Sequence, residues 1–110
     1  MIALLLLGSL GCCSAPAPDR ALAKAVIARN CSGCHEVRGV SQAVGRVGPS
    51  LSRIGSQQVI AGRLPNSRRN LMRWVAHAQS IEPGGVMPDI PLSRRQAAAV
   101  ADYLYSLDAR

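Results

Sequence analysis

Aromatic side chains are nearly missing from this chain: its 110 residues include no Phe, one Trp and two Tyr. A chain of this size buries a modest core, and here it lacks the large apolar bodies that usually fill one. Lysine is almost absent as well. Lys24 stands beside twelve arginines, and against six acidic residues the formal net charge is +7. A basic surplus without aromatic residues to form a stacking platform is a poor match to a nucleic-acid partner. No apolar run reaches membrane-spanning length, since Met1 to Leu10 is too short for that. There is no internal repeat, no low-complexity tract and no strong period-two alternation. The length fits a single domain.

What the chain does have is Cys31-Ser32-Gly33-Cys34-His35. This is the C-x-x-C-H pattern that attaches a c-type haem. Cysteines three positions apart on a helical turn lie on nearly the same face, so both can form thioethers to the vinyl groups at one porphyrin edge. The following imidazole then faces the iron as proximal ligand. A thioredoxin-like dithiol would need a βαβ setting, and no strand pattern surrounds the motif. A closed zinc site needs four ligands. The other cysteines, Cys12 and Cys13, are adjacent in a leader-like segment, and His77 is the one other histidine. A covalent haem also answers the shortage of aromatics, because a porphyrin supplies a large flat apolar mass.

Residues 1–18 carry no charged side chain before Asp19 and fit a secretory h-region. They are expected to be a signal peptide or lipoprotein leader, with residues 19–110 as the functional domain. Ser9-Leu10-Gly11-Cys12 loosely matches a lipobox, which makes Cys12 a candidate for lipid, and Ala15-Pro16-Ala17 offers an alternative cleavage site. About 92 residues remain after the leader. All the charged side chains lie there, and two ionised propionates would lower +7 to about +5.

Along the domain, Asp19 is a candidate N-cap for a helix over residues 20–30, with Leu22, Ala25 and Val26 at helical spacing. Residues 36–50 read as loop, 51–54 as one helical turn and 55–66 as irregular chain. Ser67 caps a helix over about 68–78 with an apolar stripe of Leu71, Trp74, Val75 and Ala78. Glu82-Pro83-Gly84-Gly85 breaks it and Met87-Pro88 follows in extended chain. Ser93-Arg94-Arg95-Gln96 is a capping box opening a last helix through Ala97, Val100, Leu104 and Leu107. The pattern is all-α with long loops, which pack more readily against a rigid porphyrin than against themselves.

This order of features resembles class I cytochrome c. The motifs are C-x-x-C-H near the amino end, Gly48-Pro49-Ser50-Leu51, Asn70-Leu71-x-x-Trp74, Met87-Pro88 and a final helix with Tyr103-Leu104. More narrowly, it resembles the cytochrome c domain fused to subunit II of bacterial haem-copper oxidases. That likeness runs through Val47-Gly48-Pro49-Ser50-Leu51, Leu64-Pro65-Asn66, Asn70-Leu71 to Trp74, and Ile81-Glu82-Pro83-Gly84 to Met87-Pro88. It covers nearly all of residues 22–107.

The resemblance implies a small class I fold, three main helices plus long loops wrapped around one covalent haem c. Carried over by position, Cys31 and Cys34 are the thioether residues and His35 the proximal ligand. The Pro49 carbonyl accepts a hydrogen bond from the other His35 ring nitrogen. Met87 is the distal ligand, a soft thioether that favours ferrous iron. Trp74 packs beside the haem, with its indole N–H toward a propionate. Arg38 is a further candidate for a propionate partner. The family often carries an aromatic residue where Val26 and Ile27 stand and a glycine where Ala23 stands, and Tyr103 lacks its usual aromatic partner on the first helix. The helix crossing is expected to survive with different packing.

The function so implied is single-electron transfer, not enzymatic turnover. Electrons pass to or from a respiratory-chain complex such as a terminal oxidase or a dehydrogenase, in the periplasm or on the outer face of the bacterial inner membrane. Membrane contact would come only through lipid at Cys12. Arg68, Arg69 and Arg73 on one helix and Arg94 and Arg95 on another form a candidate docking face for acidic partners, while Arg20, Arg29 and Arg110 read as solvated surface. Two alternatives compete: a haem-based sensor or peroxidase-like protein with a displaceable sixth ligand, and a bis-histidine cytochrome through His77. Met72 lies within a helix, where methionine is more often core filler than ligand.

Overall fold

The computed structural model describes Gly8 and residues 17–108. The first helix, α1, is Ala17–Asn30, the second, α2, Arg68–Ile81, and the third, α3, Arg94–Ser106. Between α1 and α2 lie a 3-10 turn at Ile54–Ser56 and a short antiparallel hairpin, β1 (Val59–Ile60) with β2 (Leu64–Pro65). The all-α expectation therefore stands, with this hairpin added inside the stretch expected to be irregular. Of the expected leader, Ala17 and Pro18 belong to α1; Cys12 and the remainder, Gly8 apart, lie outside the described residues.

α1 starts two residues before the expected first residue's cap, so Asp19 lies within the first turn and is not the N-cap. Proline is tolerated at a helix start because its missing N–H would be unpaired there anyway. Asp19 in the first turn and Arg29 in the last both complement the helix dipole. The buried face of α1 is Ala23, Val26 and Ile27.

The capping box of α3 is complete: the Ser93 hydroxyl accepts from the Gln96 N–H at 3.1 Å, and the Gln96 side chain accepts from the Ser93 N–H at 2.8 Å. Ala97, Val100, Ala101 and Leu104 are buried on α3 and join the α1 face in one apolar cluster. α1 and α3 make the most extensive contact between elements, and Ala23, with no exposed surface, lies in the shared cluster. Each large residue fully buried in the cluster, such as Ile27, Leu71 or Leu104, contributes about 1.5–3 kcal/mol from its burial.

Tyr103 is buried and donates its hydroxyl to the Arg38 carbonyl at 2.8 Å. The aromatic partner missing from α1 is replaced by a cation, since the Arg20 guanidinium lies 5.4 Å from the Tyr103 ring centroid. Arg20 is therefore more than solvated surface.

α2 opens as expected, with the Ser67 hydroxyl accepting from the Asn70 N–H at 3.1 Å. It continues three residues past the expected end, but with a kink: His77 has φ −134° and ψ 43°. In the three-residue connection of the hairpin, Ala61 (φ 53°) and Gly62 (φ 67°) are the left-handed central pair of a tight turn closed by the Arg63 N–H on the Ile60 carbonyl at 2.9 Å. No described helix is long and apolar enough to cross a membrane.

Candidate haem-attachment site

The C-x-x-C-H segment is an extension of α1. The Cys31 and Ser32 N–H groups both donate to the Ile27 carbonyl, at 2.9 and 3.1 Å, and the His35 N–H returns to the Cys31 carbonyl at 2.9 Å. Helical bonding thus runs into the motif and fixes the two cysteines on one turn. Neither sulfur is joined to another cysteine. Cys34 is exposed, whereas Cys31 is buried, and burial followed by the neighbouring Cys34 pushes the Cys31 thiol up to about 11.

The loop over residues 45–49 locks onto this turn. The Gly45 N–H reaches the Ser32 and His35 carbonyls, each at 3.2 Å, and the Gly48 N–H reaches the Cys34 carbonyl at 2.7 Å. The loop ends with the Pro49 carbonyl 2.7 Å from His35 Nδ1. A carbonyl can only accept, so Nδ1 carries the proton and Nε2 is left with a free lone pair, which is the form an iron ligand requires. The close approach needs glycine: a Cβ at Gly48 would stand 2.8 Å from Nδ1 and 3.0 Å from Nε2 of His35, and nearer still to Cε1. At Gly45 it would stand 2.6 Å from the Cys34 nitrogen. Two thiols on one turn, an imidazole in the metal-binding tautomer and a loop pressed against that ring together fit a covalently attached haem.

Sequence reasoning assigned no role to Gly45 or Gly48. Behind them, buried Ser52 accepts from the Arg38 N–H at 2.8 Å and donates to Glu36 at 3.2 Å. The Arg38 guanidinium donates to the Leu107 carbonyl at the end of α3, so one of its nitrogens is already engaged.

Trp74 and Met72 are half-buried against the core cluster. Met87 is half-buried in the loop after α2, and His77 is exposed at the α2 kink. Sequence reasoning also missed Gln79, whose side chain donates to the Gly85 and Met87 carbonyls at 2.8 and 2.7 Å. The available signal was that Leu71, Val75 and Gln79 follow at four-residue spacing, so a polar side chain ends an apolar stripe. Asn66, which stands in the Leu64-Pro65-Asn66 motif, bridges the Ile54 and Gln57 carbonyls, each at 2.7 Å, and accepts from the Tyr105 hydroxyl at 2.5 Å.

Two of the five arginines of the expected docking face are engaged within the chain. Arg68 forms a two-pronged pair with Asp102, at 2.8 and 3.2 Å, which straps α2 to α3. The side-chain hydrogen bond and then the charge of Asp102 raise its pKa further above the ordinary arginine value. Arg95 reaches Asp19 on α1 at 3.4 Å, which offsets its unfavourable place in the first turn of α3. Arg69, Arg73 and Arg94 are exposed.

Three helices and a turn that presents two cysteines and an imidazole define a small c-type haem domain. The chain belongs to the cytochrome c family: the family profile described as Cytochrome c matches residues 21–108. It is similar to cytochrome c oxidase subunit 2 of Alkalihalophilus pseudofirmus, 40% identical over 79 residues that make up 71% of this chain and 22% of that protein. It is similar also to cytochrome c oxidase subunit 2 of Bacillus sp. strain PS3, 33% identical over 88 residues, 76% of this chain and 25% of the relative. The chain thus spans about a quarter of the length of these relatives. Among solved structures, the c-type cytochrome SorU from Sinorhizobium meliloti superposes with a TM-score of 0.58 at 23% identity, covering 82% of this chain and 91% of SorU. The domain is an electron-transfer module with one covalently bound haem c.

Proposed function

We propose that this domain is a His/Met-ligated single-electron carrier, with thioethers at Cys31 and Cys34, His35 proximal and Met87 distal, serving a respiratory complex such as a terminal oxidase. The observation that carries it is the 2.7 Å bond from His35 Nδ1 to the Pro49 carbonyl, which leaves Nε2 to ligate and makes it a stronger donor. When bound, haem c supplies a one-electron iron couple. The protein's part is to hold the ligands still through the change of charge, so that little rearrangement accompanies transfer. Trp74 flanks the haem, and the donors of Arg38 not engaged by Leu107 face a propionate. The domain works in the periplasm or on the outer face of the inner membrane.

Docking falls to the arginines outside the two ion pairs, Arg69, Arg73 and Arg94. Electron transfer to an acidic partner then slows steeply as salt rises, and Arg69→Glu with Arg73→Glu reproduces the loss at low salt. Rates insensitive to salt refute the docking face.

The ferric spectrum of the purified protein tests the ligand set. Low-spin iron with the weak far-red methionine–iron band, lost in Met87→Ala and kept in His77→Ala, is the expected result. A band lost only in His77→Ala, or high-spin iron that takes cyanide readily, refutes it.

A further inference from the structure

The loop bearing Met87 rests on one side chain of α2. The Gln79 carboxamide donates to the Gly85 carbonyl at 2.8 Å and to the Met87 carbonyl at 2.7 Å, and its oxygen accepts from the Gly84 N–H at 3.1 Å. All three bonds run to the segment Gly84–Met87, so one planar group fills the concave side of the turn. The Gln79 main chain serves the same loop: its N–H donates to Asp89 Oδ1 at 2.8 Å. Just beyond, the Ile90 N–H reaches the Ala76 carbonyl at 3.3 Å. The kink at His77 lies between these two anchor points on α2. Gly84 is in the left-handed region at φ 78°, so the turn itself is sharp. Gln79 is half-buried, which shields its bonds in part from competing water.

A thioether is a neutral, soft ligand, so its hold on a metal depends on how firmly the loop presents it. Loosening the loop adds conformational freedom to the detached state and favours exchange for an external ligand. We propose that Gln79 is a positioning residue for the distal ligand: its carboxamide grips both sides of the turn and so holds the Met87 sulfur at its ligating position. This rests on Met87 as that ligand. Gln79 acts through the main chain of the loop and itself need not touch the haem.

The test is titration of the ferric holoprotein with imidazole, which displaces a weakly held methionine, followed at the far-red band. Wild type, Gln79→Leu, Gln79→Glu, Ser80→Ala and Met87→Ala are compared, each at a temperature well below its own thermal midpoint. Gln79→Glu keeps the size and the acceptor for Gly84 but, when ionised, lacks both donors. Ser80→Ala removes a bond from the same turn, Ser80 to the His77 carbonyl at 2.8 Å, without touching the loop. Loss of two hydrogen bonds in Gln79→Glu and of three in Gln79→Leu tightens imidazole binding about tenfold to a hundredfold in both variants, while Ser80→Ala titrates like wild type. If wild type shows the band and Met87→Ala removes it, but Gln79→Leu and Gln79→Glu bind imidazole within about twofold of wild type, the role of Gln79 is overturned and Met87 ligation stands. If wild type lacks the band and titrates like Met87→Ala, Met87 ligation falls and the role of Gln79 with it.

Discussion

Replacing Gly48 with alanine puts a methyl group where the proximal imidazole already is. The new Cβ would lie 2.8 Å from Nδ1 and 3.0 Å from Nε2 of His35, inside van der Waals contact. The ring has little room to give way. It is tethered on one side by the Pro49 carbonyl at 2.7 Å and on the other by main-chain bonds of the motif. Nor can the loop retreat freely, because the Gly48 N–H is held at 2.7 Å by the Cys34 carbonyl. Overpacking of this kind costs about 1–3 kcal/mol. If the ring swings to escape, the Pro49 bond is lost for about another 1 kcal/mol. The sum, roughly 2–4 kcal/mol, lowers the thermal midpoint of a domain this size by roughly 8–30 °C. Thermal unfolding of the holoprotein, followed in the Soret and far-ultraviolet regions, measures it directly. A midpoint within about 3 °C of wild type would refute the claim that this loop clamps the proximal histidine.

Other outcomes follow from the same geometry. Gly39 sits at φ 88° and any Cβ there runs into the Tyr103 hydroxyl, so Gly39→Ala breaks the Tyr103–Arg38 bond and destabilises the domain by about 2 kcal/mol or more in denaturant unfolding. Asp102→Asn, by contrast, disrupts an exposed ion pair with Arg68 and changes stability by no more than about 1 kcal/mol, less at high salt. Burial holds the Tyr105 phenol above its ordinary value of 10.0. The stability it contributes is therefore complete below pH 10 and lost as pH rises through the folded value. Unfolding curves of Tyr105→Phe should fall less steeply than wild type above pH 10.

Features whose partners lie close in the sequence were legible there. Ser93 and Gln96 satisfy each other across one turn, and the Ser67 hydroxyl accepts from the Asn70 N–H, so two helix starts could be placed by residue. C-x-x-C-H was visible because covalent haem attachment constrains a short segment. The start of α1 was missed because Asp19 is as good in a first turn as at a cap. The hairpin was missed because two-residue strands are too short to show a period. Arg20 on Tyr103 and Arg68 on Asp102 join side chains distant in the sequence, and only the α1–α3 and α2–α3 packing brings them together; Arg38, in the loop after the motif, likewise reaches the distant Leu107 carbonyl. Gln79 belongs to both cases: its place on the apolar stripe was visible, but its grip on Gly85 and Met87 needs the kink at His77 and the return of the loop.

Intact-mass analysis of the native protein, made in a host with a working cytochrome-maturation system, tests the attachment on which everything else depends. The chain should carry the added mass of one haem that survives denaturation, and replacing both Cys31 and Cys34 with alanine should abolish it. A colourless product at the bare polypeptide mass would contradict the account.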